Sequence, residues 1–354
     1  MRILYIIGNG FDLNLGLKTD YPSFYKYYLK QTTTNPFLLK LKEQISKEQY
    51  TTWSDLELGL GKYAEKCTKE EYLQIMDDIR TNLTTYLKEE TNKVHFGLSD
   101  SFYEDIKKPE RHLERMILDK YYAYRDKYSS GLSTLDINVV SFNYTYTFER
   151  IFGIISLDGD SIVNIRANDN RKPVNQVIHI HGTLENELNL GVNDASQIFN
   201  DSFKSDMDIL EYVVKPEFND ACLNGKNGIC ENLIKNADVI VLFGVSMGIT
   251  DTKWWSLIGE QLKKRRCMIV YYPFDEKKDD IKHPNSKRRW TDNYSMFLKE
   301  KFGILDVKDD SLLGVILVSI NKPIFKTPII RNIKEEDLRG VIGDNPIISN
   351  VKSL

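Results

Sequence analysis

Four segments of this chain place chemically able side chains where an apolar run stops. In Ile7-Gly8-Asn9-Gly10-Phe11-Asp12-Leu13, two glycines one residue apart follow an apolar strand pattern. Such a turn lets the backbone approach a ligand and aim N–H groups at phosphate. Leu13 stands where a dinucleotide fingerprint needs its third glycine, although Gly16 follows at a longer spacing. A tight structural turn and a nucleotide cradle therefore both stay open, and Asp12 beyond it is placed to hold a ribose hydroxyl or a metal. In Ser141-Phe142-Asn143-Tyr144-Thr145-Tyr146-Thr147-Phe148-Glu149, Asn143 falls at the carboxyl edge of a strand, as a polar site residue or a helix cap. In Val177-Ile178-His179-Ile180-His181-Gly182, two of the five histidines share one face of a strand. His181, last before the glycine, is the expected site residue, and His179 the structural one.

The fourth segment runs from Leu242 through Gly244, Ser246 and Gly248 to Trp255. Ser246 and the turn amides are suited to phosphate or ribose, Thr250 or Asp251 to capping the next helix, and Trp254 and Trp255 to packing. Gly244-Val245-Ser246-Met247-Gly248 spells a hydrolase nucleophile elbow. In that fold the triad histidine follows the serine, and here the only later histidine is His283 in a charged segment, so the elbow is rejected.

The elements that must position these residues are legible from periodicity. Residues 2–7 read as a buried central strand, and further strand patterns fall at 137–142, 177–181, 238–243 and 267–272, with an edge strand at 315–320. Between Tyr21 and Tyr128 the pattern is amphipathic helix without a strand, notably Lys69 to Lys93 and Ser99 to Tyr128. Strand-then-helix alternation predicts a Rossmann-like α/β fold: a mostly parallel sheet flanked by helices, with right-handed crossovers and ligands at the carboxyl ends of its strands. The expected organisation is a nucleotide-binding domain from 1–20 and 131–322, a large all-helical insertion over 21–130, and an irregular tail over 323–354 containing Pro323, Pro328 and Pro346.

Composition narrows the function classes. With 41% hydrophobic and 28% charged residues among 354, the chain can bury a large core. Lys plus Arg number 48 against 51 Asp plus Glu, so no overall basic field draws it to nucleic acid or an anionic membrane. Cys67, Cys222, Cys230 and Cys267 show no zinc spacing and read as free thiols, and no metal site or zinc is expected. Without an apolar run of signal or membrane length, the expected location is the cytoplasm.

Taken in order, Ile-Gly-Asn-Gly-Phe-Asp-Leu, the Thr19-Asp20-Tyr21 to Phe24 stretch, Trp53-Ser54-Asp55-Leu56-Glu57, Ser-Phe-Asn-Tyr-Thr and His-Ile-His-Gly resemble the AbiH family of phage abortive-infection proteins. The resemblance runs from residue 1 to roughly residue 260 and implies phage defence through arrest or death of the infected cell. The same pattern is distantly similar to that of sirtuin-like NAD-cleaving domains, and this second resemblance is what names NAD as substrate or ligand. It implies that Gly8 and Gly10 meet the pyrophosphate, that Asn143 orients the attacking water and the nicotinamide ribose, that His181 is a base toward a ribose hydroxyl, and that Ser246 holds ribose or phosphate. Asn9, Asp12 and Gly244 join the nucleotide-contacting set. The sequence departs from the sirtuin-like pattern at Thr145, where those relatives carry an acid, and lacks their zinc cysteines. Asp55 is read as a helix cap and Glu57 as a surface charge, or both as acids reaching the crevice from above. Two rival functions stand beside NAD hydrolysis: a nucleotide-binding sensor without turnover, and a metal-dependent nuclease using Asp12, Asp55, Glu57 and Asp251. A phage protein as trigger and a homo-oligomer are the open partner expectations.

Overall fold

Arg2–Ile7 forms β1, and burial of every residue after Arg2 marks it as a strand covered on both faces. The computed structural model describes residues 1–48, 51–93, 95–96, 100–128, 135–152, 154–157, 161–164, 174–186, 188–264, 268–272, 284–307, 315–319, 324–325 and 329–330. Five further strands join β1 in one sheet: β2 (Asp136–Ser141), β3 (Gln176–His179), β4 (Val239–Phe243), β5 (Met268–Tyr272) and β6 (Val315–Val318). Their order is β3-β2-β1-β4-β5-β6, with every neighbouring pair parallel. This is the doubly wound arrangement, in which the chain builds outward from β1 to one edge and then crosses back to build the other half. The reversal leaves a crevice between the carboxyl ends of β1 and β4, where the connections leave in opposite directions.

Helices α1 (Gly10–Asn14), α2 (Tyr21–Tyr28), α3 (Pro36–Glu48), α4 (Leu56–Tyr63), α5 (Lys69–Asn92), α6 (Asp100–Lys107) and α7 (Arg115–Tyr128) lie between β1 and β2. Then come α8 (Thr147–Phe152), α9 (Met207–Val213), α10 (Lys215–Ala221), α11 (Lys226–Asn236), α12 (Thr252–Lys263) and α13 (Pro284–Lys301). Their apolar stripes form three cores. Alternate residues of β1 face opposite ways: Ile3, Tyr5 and Ile7 pack with α6, α7 and α8, while Leu4 and Ile6 pack with α11, α12 and α13. The third core joins α2 to α5 with Leu190, Val192, Ile198, Phe203, Ile209 and Val213. Local signals set the helix starts: Asp20 accepts the Ser23 amide, Asp55 the Leu58 amide, and Thr68 with Glu71 forms a reciprocal capping box before α5.

The expected strands are present, displaced by a residue or so at their ends, and two local pairs are additional. His95–Phe96 pairs antiparallel with Ile329–Ile330, and Ile154–Leu157 with Ser161–Asn164. A two-residue strand has no period to read, so the first of these leaves no mark in the pattern. Strand β3 ends at His179 rather than His181: Ile180 still donates to Ser141, and Gly182, at φ +74°, turns the chain away. In the region read as an irregular tail, Phe325 is fully buried and its ring meets Tyr5, Phe11, Phe102 and Phe243 at centroid distances of 5.2 to 6.0 Å. Residues 331–354 lie outside the described residues. Among the described residues no helix is long and apolar enough to cross a membrane.

The register brings Ile7 level with Ser141 and Phe243, and Ser141 level with His179. The turns after four strands therefore open at one height. Between β1 and β4 they touch: Gly8 donates to the Phe243 carbonyl at 3.0 Å and Gly10 to the Gly244 carbonyl at 2.8 Å. A Cβ on Gly244 would sit 2.6 Å from Gly10 Cα, and φ at Gly244 is +64°. Gly225 has a comparable φ of +66° but open space around its absent Cβ. Gly244→Ala is expected to cost about 2–5 kcal/mol, left-handed strain plus overpacking, and Gly225→Ala only about 1–2 kcal/mol. Denaturant unfolding of the two variants checks this, and equal losses would show that the close approach of the turns is not what Gly244 provides.

Candidate functional site

A cavity of about 940 Å³ opens on this row of turns. It is lined from below by the residues that follow β1, β2, β3 and β4, and from above by Thr19 to Pro22, Ser54, Asp55, Glu57, Leu83 and Leu87 of the helical layer. All eight of the site residues expected from sequence, Gly8, Asn9, Gly10, Asp12, Asn143, His181, Gly244 and Ser246, line it. Their tasks differ in part from the expectation. The Gly8 and Gly10 amides are already donated to β4 and its turn, so these glycines serve the contact between two loops, and they do not aim those N–H groups at phosphate. The Asn9 side chain both donates to the Thr19 carbonyl (3.0 Å) and accepts from its hydroxyl (2.5 Å), tying the turn to the entry of the helical layer. Ser246 remains exposed to the cavity, and the next residue, Met247, is buried with φ +53°. A non-glycine residue held in that region needs its surroundings to enforce the conformation, which fixes the direction of the Ser246 turn.

Asn143 is not a helix cap, since α8 begins only at Thr147. Its amide donates to Ser141 Oγ at 3.2 Å, its carbonyl lies 2.8 Å from His179 Nδ1, and its side-chain Oδ1 is buried without a partner. An orphaned amide oxygen of this kind is costly unless a ligand satisfies it. His179, as expected, is structural and stays out of the cavity: Nε2 lies 2.6 Å from Glu149 Oε1 while Nδ1 holds the Asn143 backbone. Burial pulls its imidazole toward the neutral form, but Glu149 more than offsets this and leaves the pKa above the ordinary value. Beside Asn143, Thr145 Oγ1 donates to Asp12 Oδ2 at 2.6 Å and Thr147 Oγ1 to Asp12 Oδ1. The hydroxyl at position 145 thus meets a carboxyl reaching in from α1. Burial pushes Asp12 up to about 6, against the two threonine hydroxyls that favour its charge.

The strongest electrostatic feature is one that sequence inspection missed. Lys215, at the start of α10 and 4% exposed, lies 2.7 Å from Glu57 Oε2 and 3.1 Å from Asp251 Oδ1. His181 Nε2 lies 2.9 Å from the same Asp251 oxygen. Asp251 therefore does not cap α12 through its side chain; it is drawn inward by two bases. Glu57 is no surface charge: it is buried and also accepts from Tyr144 Oη at 3.4 Å. Asp55 keeps its capping bond and also lines the cavity.

Burial lowers the His181 pKa and the Lys215 charge lowers it further, outweighing Asp251, so His181 is neutral at pH 7. Burial alone would lower Lys215, but its two carboxylates keep it above the ordinary lysine value. Asp251 is held well below the usual carboxylate range by Lys215 and His181 despite burial, whereas Glu57 is raised by burial more than Lys215 lowers it. Two carboxyls on one ammonium are thus driven apart, one ionised and one inclined to hold a proton. Among the described lining residues five are carboxyls, Asp12, Asp20, Asp55, Glu57 and Asp251, and Lys215 is the one lysine or arginine, so the cavity favours cationic character. Phe142 shields it, with ring centroids 4.9 Å from His181 and 5.3 Å from Trp255. Among the described residues no three His, Cys, Asp or Glu side chains gather as a metal-binding group.

Fold and site together define a doubly wound α/β protein with a ligand-sized cavity at the point where its sheet reverses direction. Residues 4–272 match the family described as bacteriophage abortive infection AbiH, and the chain belongs to that family. The membership supports a role in abortive infection. A search of curated proteins gave no match.

Because Asp12 titrates near 6 when folded and near 3.8 when free, the folded chain holds more protons between those values, and stability from this group falls as pH rises through them. Unfolding free energy is expected to drop by about 2–3 kcal/mol from pH 4 to pH 7 relative to Asp12→Asn; parallel pH profiles would contradict it. Lys215→Met leaves two buried carboxyls without their cation and is expected to cost about 3–5 kcal/mol. It also raises the His181 pKa, a shift that imidazole NMR titration reads directly.

Proposed function

We propose that this chain is an abortive-infection effector that hydrolyses NAD to nicotinamide and ADP-ribose on infection. The observation that carries the reading is the pairing, at the ends of adjacent strands, of a neutral buried His181 with an Asn143 whose side-chain oxygen has no partner. Breaking the N-glycosidic bond transfers its electron pair to the nicotinamide nitrogen, which leaves neutral, while a water oxygen bonds to the anomeric carbon and gives up a proton. The step needs a positioned water, a base and stabilisation of an oxocarbenium-like centre rather than a strong nucleophile. Asn143 Oδ1 is suited to hold water or a ribose hydroxyl, and His181 to take the proton. The carboxyls around them suit both the cationic nicotinamide and the developing positive charge. Asp12 beside Thr145 offers a carboxyl in the neighbourhood where the sirtuin-like pattern has its acid. Ser246, exposed on the cavity wall, is suited to ribose or phosphate.

An unregulated NAD hydrolase would poison its own host, so activity is tied to infection. The test is the NAD content of cells carrying wild type or His181→Ala, with and without phage, followed by nicotinamide release from purified protein. Loss of His181 or Asn143 is expected to slow release by about 10²–10⁴-fold. With a base whose pKa lies below 6.5, the rate declines as acid protonates it, on a limb below that value. Unchanged NAD in infected cells that still arrest would sink the hydrolase and favour binding without turnover.

A further inference from the structure

We infer that the far end of the cavity is a purine subsite, formed by Trp290, Asn293 and Tyr294 of α13 with Tyr271 of β5, and that it takes the adenine of a dinucleotide whose other end reaches His181. The subsite rests on the NAD reading above and adds the orientation of the ligand. All four residues line the same cavity as His181 and Asn143. His181 follows β3 and Tyr271 lies on β5, with β2, β1 and β4 between them. Four strand spacings of about 4.8 Å separate the two ends by roughly 19 Å. That span exceeds a mononucleotide and matches an extended dinucleotide crossing the point of sheet reversal, past the exposed Ser246 of the β4 turn.

The chemistry of the far end fits a base. Trp290 and Tyr294 are four residues apart on one helix, hence on one face, with ring centroids 5.6 Å apart. Tyr294 is braced edge-on by the buried Tyr271 at 5.6 Å and 62°. Both Trp290 and Tyr294 are only half-buried, although one side of each packs on the core beneath. Half-exposed rings inside a cavity offer a flat apolar face for stacking. Asn293 is an exposed amide on the same cavity wall. An asparagine amide donates and accepts side by side, the complement of the adenine N6–N7 edge.

The experiment titrates AMP into the full chain by calorimetry and by tryptophan emission, using wild type, Trp290→Ala, Trp290→Phe and Asn293→Ala, each checked for folding by circular dichroism. The expected result is AMP binding with emission quenching, weakened about ten-fold or more by Trp290→Ala and largely kept by Trp290→Phe, with a smaller loss for Asn293→Ala. No AMP binding, or affinity indifferent to Trp290, overturns the subsite. The two readings separate in a parallel NAD assay. Trp290-dependent AMP binding, with NAD unchanged in infected cells that still arrest, leaves the subsite standing and removes hydrolysis, whereas nicotinamide release with a KM indifferent to Trp290 does the reverse.

Discussion

A single buried ammonium group joins the two parts of this molecule that meet at the cavity. Lys215 sits at the start of α10, between Glu57 of the helical layer and Asp251 of the turn after β4, and Asp251 in turn faces His181 after β3. A buried lysine is tolerable only if its partners are held in place, and here each partner comes from a different segment. The requirement therefore runs outward: α4 must dock, the β4 turn must keep its course, and the chain after β3 must bend at Gly182. Burial of the same cluster, aided by the Lys215 charge and against Asp251, lowers the pKa of the imidazole. Structural demand and chemical competence are two consequences of one arrangement.

Much of the sheet was legible in sequence because parallel strands covered on both faces are written as uninterrupted apolar runs, as in Ile3 to Ile7 and Val239 to Phe243. The turns after them were legible because a parallel sheet exposes chemistry at one edge. Lys215 was not legible, since a lysine before Pro216 at a helix start reads like any surface residue, and its two acids lie 158 and 36 residues away. Asp251 was misread for a related reason: its position suits a cap, and only the folded neighbourhood supplies the stronger partners. The glycines of the first turn were read by type correctly and by task incompletely, because nothing local says that the β4 turn will press against them.

The aromatic residues divide the cavity in a way that no motif announced. Phe142 and Trp255 wall the end near His181, and Trp290 with Tyr294 the other. Glu57 and Asp251 gather with Lys215 at the His181 end. A ligand that is cationic at one extremity and a neutral heterocycle at the other complements that distribution better than a uniformly anionic one.

The ring that closes the core under the first turn belongs to Phe325, whose carbonyl accepts from Asn14, 311 residues earlier in the chain. Contacts so distant in sequence form late, and on a ribosome the chain emerges from its first residues onward. Until Phe325 has been made, Phe11 lacks one of its ring neighbours and the segment bearing Asp12 rests on an unfinished floor. A nascent chain thus carries every residue of the cavity floor without the support that holds it in shape, and maturation of the site waits on translation of the C-terminal region.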